Sequence, residues 1–72
     1  MYCASLDNVP IPFDNGERYT DTRAVACNHA YRLSCVYGDK CFVVMSRPKR
    51  RGKFRHEIVY INGQAYKLTA CV

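Results

Sequence analysis

Two groups of residues in this 72-residue chain could do chemistry: five cysteines with two histidines, and a dense run of cations. Cys27, His29, Cys35 and Cys41 are the candidate metal cluster. Structural zinc sites are usually built on a tight C-x2–4-C pair that forms one rigid knuckle, and these four lack that spacing. Five cysteines is an odd number, so a complete disulfide framework would leave one thiol over. The cysteines therefore read as reduced side chains packing as small hydrophobes, with no metal and no cofactor. A Cys–His nucleophile drawn from Cys27 with His29 or His56 has no oxyanion-loop signature. A chain this short also leaves little room for a substrate cleft. The reading is of a protein that is not an enzyme. Both histidines read as surface residues, His29 at a helix end or turn and His56 at the end of the cationic run.

That run is Arg47-Pro48-Lys49-Arg50-Arg51-Gly52-Lys53-Phe54-Arg55-His56. It holds six of the eleven Lys and Arg residues and no acid. Each phosphate neutralised by such a cation releases condensed counterions, which makes binding steeply salt-dependent. Arginine also forks onto phosphate oxygens. An aromatic face next to the cations can stack on an unpaired base for roughly 1–3 kcal/mol. Arg47, Lys49, Arg50, Arg51, Lys53 and Arg55 are the candidate phosphate contacts. Phe54 is the candidate stacking residue, and His56 stands beside them. A segment of this kind also arises as a solvated loop, or as a partner for an acidic protein groove. Six tyrosines and no tryptophan accompany it. Exposed tyrosines anchor interfaces, and others cap small cores.

The charge is uneven along the chain. Residues 1–30 carry two Lys/Arg against four Asp/Glu, and residues 31–72 carry nine against two, within a net charge of +5. This asymmetry predicts one basic face, the electrostatic footprint of a nucleic-acid binder. Apolar residues make up 49% of the chain, which excludes compositional disorder. No apolar run approaches the ~18 residues of a membrane span. The first residues lack a basic n-region and an apolar h-region, so the expected location is cytoplasmic, with reduced thiols.

The elements that position these residues read as one small β-rich domain over residues 1–72. Residues 1–17 read as an extended arm in which Pro10 and Pro12 forbid a helix interior. The alternation of Val9, Ile11 and Phe13 also allows an edge strand. Asp14-Asn15-Gly16 is a turn signal. Asp21 or Thr22 can cap a short helix through Ala24–Ala30, with a strand over Ala24–Cys27 as the alternative. Tyr31, Leu33, Cys35 and Tyr37 alternate with more polar positions and predict a strand, turned at Gly38-Asp39 into a second strand to residue 46. Asn62-Gly63 predicts a second hairpin with a type I′ turn, pairing Ile61 with Gln64, Val59 with Tyr66 and Glu57 with Leu68. The cationic run then joins two hairpins. The expected fold is an α+β domain, an antiparallel meander or Sm/SH3-like barrel of four or five strands with one short helix.

Ala24-Val25-Ala26-Cys27-Asn28-His29, followed by Tyr31-Arg32-Leu33 and Gly38-Asp39-Lys40, resembles the Rof-type proteins. These are small Sm-like barrels that bind the transcription terminator Rho and block its RNA site. The similarity covers about two thirds of the chain and implies a barrel and a protein partner of nucleic-acid metabolism.

The expected function is a small regulatory protein that contacts RNA or DNA through the basic loop. The alternative is a phage- or plasmid-type inhibitor whose loop docks on an acidic surface of a host protein, such as a Rof-like transcription-termination regulator or an anti-defence protein. An exposed edge strand also offers a route to a homodimer.

Overall fold

The computed structural model describes residues 1–48 and 52–67. It is a five-stranded antiparallel sheet with one helix across one face. The elements are β1 (Tyr2–Leu6), β2 (Val9–Pro10), α1 (Arg23–Val36), β3 (Cys41–Ser46), β4 (Arg55–Ile61) and β5 (Gln64–Lys67). The strand order is β2-β1-β3-β4-β5, so α1 is the connection that carries the chain from the β2 edge back to β3 beside β1. The sheet stays open, so the small β-rich α+β meander is right and the barrel is not formed. The extents of 35 × 31 × 20 Å fit two layers, one sheet and one helix.

The N-terminal segment does more than an arm would. Tyr2–Leu6 is an inner strand, paired with β3 from Tyr2↔Ser46 to Ser5↔Val43. It turns at Asp7-Asn8, both at positive φ (53° and 66°), into the short edge strand β2. Asp and Asn tolerate this left-handed backbone because their short polar side chains bond locally. Val9–Pro10 at the sheet edge agrees with the edge-strand reading, because an edge position leaves proline's missing donor unneeded. The turn at residues 14–16 also forms, with Gly16 N donating to Phe13 O at 2.9 Å.

The expected first hairpin is not formed, and this is the main correction. Residues 31–36 continue the helix that starts at Arg23. Alternation at 31, 33 and 35 suited a strand, but the chain also places Ala26, Ala30, Leu33 and Ser34 at helical spacing. Ala26, Ala30 and Ser34 are fully buried and Leu33 is partly buried. Ala, Arg and Leu favour helix, and once the inner face is packed that local preference is reinforced over the whole segment. Thr22 occupies the N-cap, as expected, but its side chain makes no cap hydrogen bond. The helix ends at Tyr37, whose N–H donates to Leu33 O at 2.8 Å.

The second hairpin forms as expected. Asn62 and Gly63 have φ of 49° and 78°, and Ile61↔Gln64 and Val59↔Tyr66 are paired. The expected pairing of Glu57 with Leu68 lies outside the described residues, as do Lys49, Arg50 and Arg51. The core lies between helix and sheet: Ala4, Ala26, Ala30, Phe42, Val44 and Ile58 are buried together. Tyr2, Leu6, Ile11, Phe13, Leu33 and Tyr60 close its rim. The other face of the sheet carries Ser5, Val43, Val59 and Tyr66 in one cross-strand row.

Candidate functional site

The cationic run connects β3 to β4, so it closes a hairpin instead of joining two. It joins the two strands at one end of the sheet, where Tyr2, Ser46 and Arg55 lie side by side across β1, β3 and β4. A bulge sits just inside this end. Val44 pairs with Ile58 and Met45 with His56, which leaves Glu57 as the extra residue of β4. Glu57 accepts from Ser46 Oγ at 2.5 Å and faces Arg23 at the start of α1, with Nε 3.8 Å from its carboxylate. The N-terminus of the helix is thereby tied to the base of the loop. Thr20 bridges to Tyr2, with hydrogen bonds of 2.7 and 2.9 Å, which brings Arg18 and Tyr19 to the same end.

Of the expected site residues, Lys53, Arg55 and His56 are exposed, and Phe54 is partly buried. Arg47 is held. Its N–H donates to Met1 O at 3.0 Å, and its carbonyl accepts from the Met1 nitrogen at 2.9 Å. Its guanidinium carbon lies 4.6 Å from the Phe54 ring centroid and 4.9 Å from that of Tyr19. Its Nε is buried and finds no hydrogen-bond partner among the described residues. Contact with two aromatic faces offsets part of that loss.

The sequence reading missed Arg18, Tyr19 and Arg23, which stand here with the loop. They lie in the acidic half of the chain, and only the Thr20–Tyr2 bridge and the helix start bring them round. Cations outnumber acids at this end. Among the described residues it holds Arg18, Arg23, Arg47, Lys53 and Arg55 against Glu17, Asp21 and Glu57, and the connection from β3 to β4 has three more cations in its sequence, Lys49, Arg50 and Arg51. Among the described residues the one ion pair is Arg23–Glu57.

The described cysteines and histidines are dispersed. Cys27, His29 and Cys35 ride on α1, and Cys41 is exposed at the start of β3. Among the described residues no three of Cys, His, Asp and Glu come together to hold a metal ion. His29 is not a surface residue. It is 6% exposed in the middle of α1, its Nε2 is 3.1 Å from Pro12 O, and Phe13 lies 4.7 Å from its ring. A carbonyl only accepts, so Nε2 carries the proton. Burial holds the Cys3 thiol above its ordinary pKa, outweighing a backbone hydrogen bond at Met45 and the nearby Arg47. Among the described residues no helix is long and apolar enough to cross a membrane.

Comparison of the chain with protein-family models, with curated proteins and with solved structures finds no match.

Proposed function

We propose that this chain is a non-enzymatic cytoplasmic regulator that binds nucleic acid through the loop end of its sheet. The observation that carries this reading is the excess of cations over acids at that end, where one ion pair is formed among the described residues. Cations without carboxylate partners remain available to phosphates, and the sheet and helix hold them where β3 and β4 are joined. Arg18, Lys53 and Arg55 make phosphate contacts, and Arg50 and Arg51 of the same connection add to them.

The test is the salt dependence of oligonucleotide binding. Arg50→Ala with Arg51→Ala should weaken binding and flatten the plot of log affinity against log salt by about one unit per lost contact. A slope equal to that of the unaltered protein would remove these residues from the interface.

A second reading is favoured by a separate observation. Val25, Tyr31, Val36 and Tyr37 are 46–72% exposed along and just after α1. Exposed tyrosines of this kind anchor protein interfaces, and a phage- or plasmid-type inhibitor of a host protein, the partner class implied by the Rof-type resemblance, would use them. A stoichiometric protein retained from nuclease-treated lysate, and lost on Tyr31→Ala, would favour this reading.

A further inference from the structure

Tyr19, Arg47 and Phe54 meet from three parts of the chain, and only the last two belong to the cationic run. The two ring planes are within 13° of parallel, with centroids 6.1 Å apart. A cation sandwiched between parallel rings would separate their centroids by nearly the sum of its distances to each. Here those distances are 4.9 and 4.6 Å, and the centroids are much closer than their sum. The rings are therefore stacked on each other with an offset, and the guanidinium lies against both. Both rings are partly buried and keep exposed surface. Beside Tyr19 and Arg47 runs a groove of about 540 Å³, lined also by Gly16, Glu17, Arg18 and Asp21.

We propose that the Tyr19–Phe54 platform and this groove take an unpaired base, which makes single-stranded nucleic acid the ligand class of the basic end. The inference rests on the nucleic-acid reading above and narrows it. The platform offers π-faces that every base can stack on, whatever its identity. Arg47 fixes both rings before any ligand arrives, so little ordering is left to binding. Glu17 and Asp21 are ill-placed for a surface that meets only phosphates. They suit the N–H groups on the edge of a base, which a carboxylate accepts. Arg18 beside them supplies the donors for the adjoining phosphate. A duplex hides its base faces and its pairing edges, so it offers the two rings no face on which to stack.

The experiment compares three fluorescently labelled probes at matched salt: oligo(dT) of on the order of ten nucleotides, an abasic strand of the same length, and a duplex of that length. Oligo(dT) should bind about ten-fold or more tightly than the abasic strand, the smaller end of what one or two stacked bases supply. Tyr19→Leu keeps an apolar cover over Arg47 without a π-face and should erase most of that preference, while Tyr19→Phe should keep it. In the unaltered protein, the ring protons of Tyr19 and Phe54 should move upfield during an NMR titration with oligo(dT). Equal affinity for oligo(dT) and the abasic strand, or unmoved ring protons, would overturn the platform. If salt-dependent binding persisted in that case, the phosphate-contact reading would stand alone. Absence of binding to all three probes would overturn both.

Discussion

His29 sits inside the molecule because Pro12 O and the Phe13 ring give it polar and apolar partners on the arm that crosses α1. A buried imidazole without that hydrogen bond would be costly, so the bond and the burial imply each other. His29→Leu should therefore destabilise the fold by about 1–3 kcal/mol, read as a lowered urea midpoint. An unchanged midpoint would mean that the arm is held by its backbone alone. Cys3 and Tyr60 set a second expectation. Burial holds the Cys3 thiol above its ordinary value of 9.0, and burial followed by a hydrogen bond with Cys27 raises the Tyr60 phenol from 10.0. In both cases the folded state disfavours the charged form. The stability they add is complete below the unfolded pKa and is lost as pH rises through the folded one. Thermal stability should fall from about pH 9 upwards, and Cys3→Ala should blunt the first part of that fall. A melting temperature flat to pH 10.5 would contradict it. The histidine's position was not legible in the sequence, because a lone His carries no sign of the carbonyl that will meet it.

The two turns at the far end of the sheet show how elements lock together. Gly63 N donates to Ser34 Oγ at 3.0 Å, and Ser34 Oγ donates to Tyr31 O at 2.7 Å, so the β4–β5 turn is bonded to the helix. A Cβ on Gly63 would lie 3.1 Å from Cys35 Sγ, and φ there is +78°. A Cβ on Gly38 would meet Asn62 Oδ1 at 2.9 Å, so this second glycine allows the α1–β3 turn to approach the same hairpin. Gly63→Ala should cost about 1–3 kcal/mol, from backbone strain and from the push on Cys35. Denaturant unfolding measures it, and a loss below ~0.5 kcal/mol would show that the turn relaxes freely. The Asn62-Gly63 hairpin was legible because its conformational demand is local. The helix over residues 31–36 was not, because tyrosine, leucine and cysteine at alternate positions satisfy a strand pattern as well as a helical one. Burial of Ala26, Ala30 and Ser34 against β1, β3 and β4 decides between them.

Over the whole molecule the charge is arranged end to end. The loop end carries an excess of cations, and the opposite end carries the turns at Asp7-Asn8, Gly38-Asp39 and Asn62-Gly63. On the proposed function, this asymmetry would orient the protein toward a polyanion before contact and speed encounter at low salt. Two charge reversals separate this effect from net charge alone. Arg18→Glu and Lys40→Glu change the total equally, but only Arg18 lies at the loop end. Arg18→Glu should weaken oligonucleotide binding several-fold more than Lys40→Glu, with a shallower salt slope. Equal losses for the two variants would mean that only total charge matters. The cationic run was plain in the sequence as a contiguous decamer. Arg18, Tyr19 and Arg23 could not be seen there as its companions, because nothing local links them to it.

The sequence by itself determined what depends on neighbours along the chain: the Asn62-Gly63 turn and its register, the tolerance of Val9–Pro10 for an edge, and the presence of a cationic connection. Tertiary structure decided which of two allowed periods residues 31–36 would adopt, where the sheet would stop short of closure, and which distant side chains would flank the loop. The physical reason is the range of the interactions. Backbone conformational preferences act over a few residues and are written in order. Burial, ring contact and charge convergence join positions far apart in the chain, and they exist only once the sheet and helix have packed.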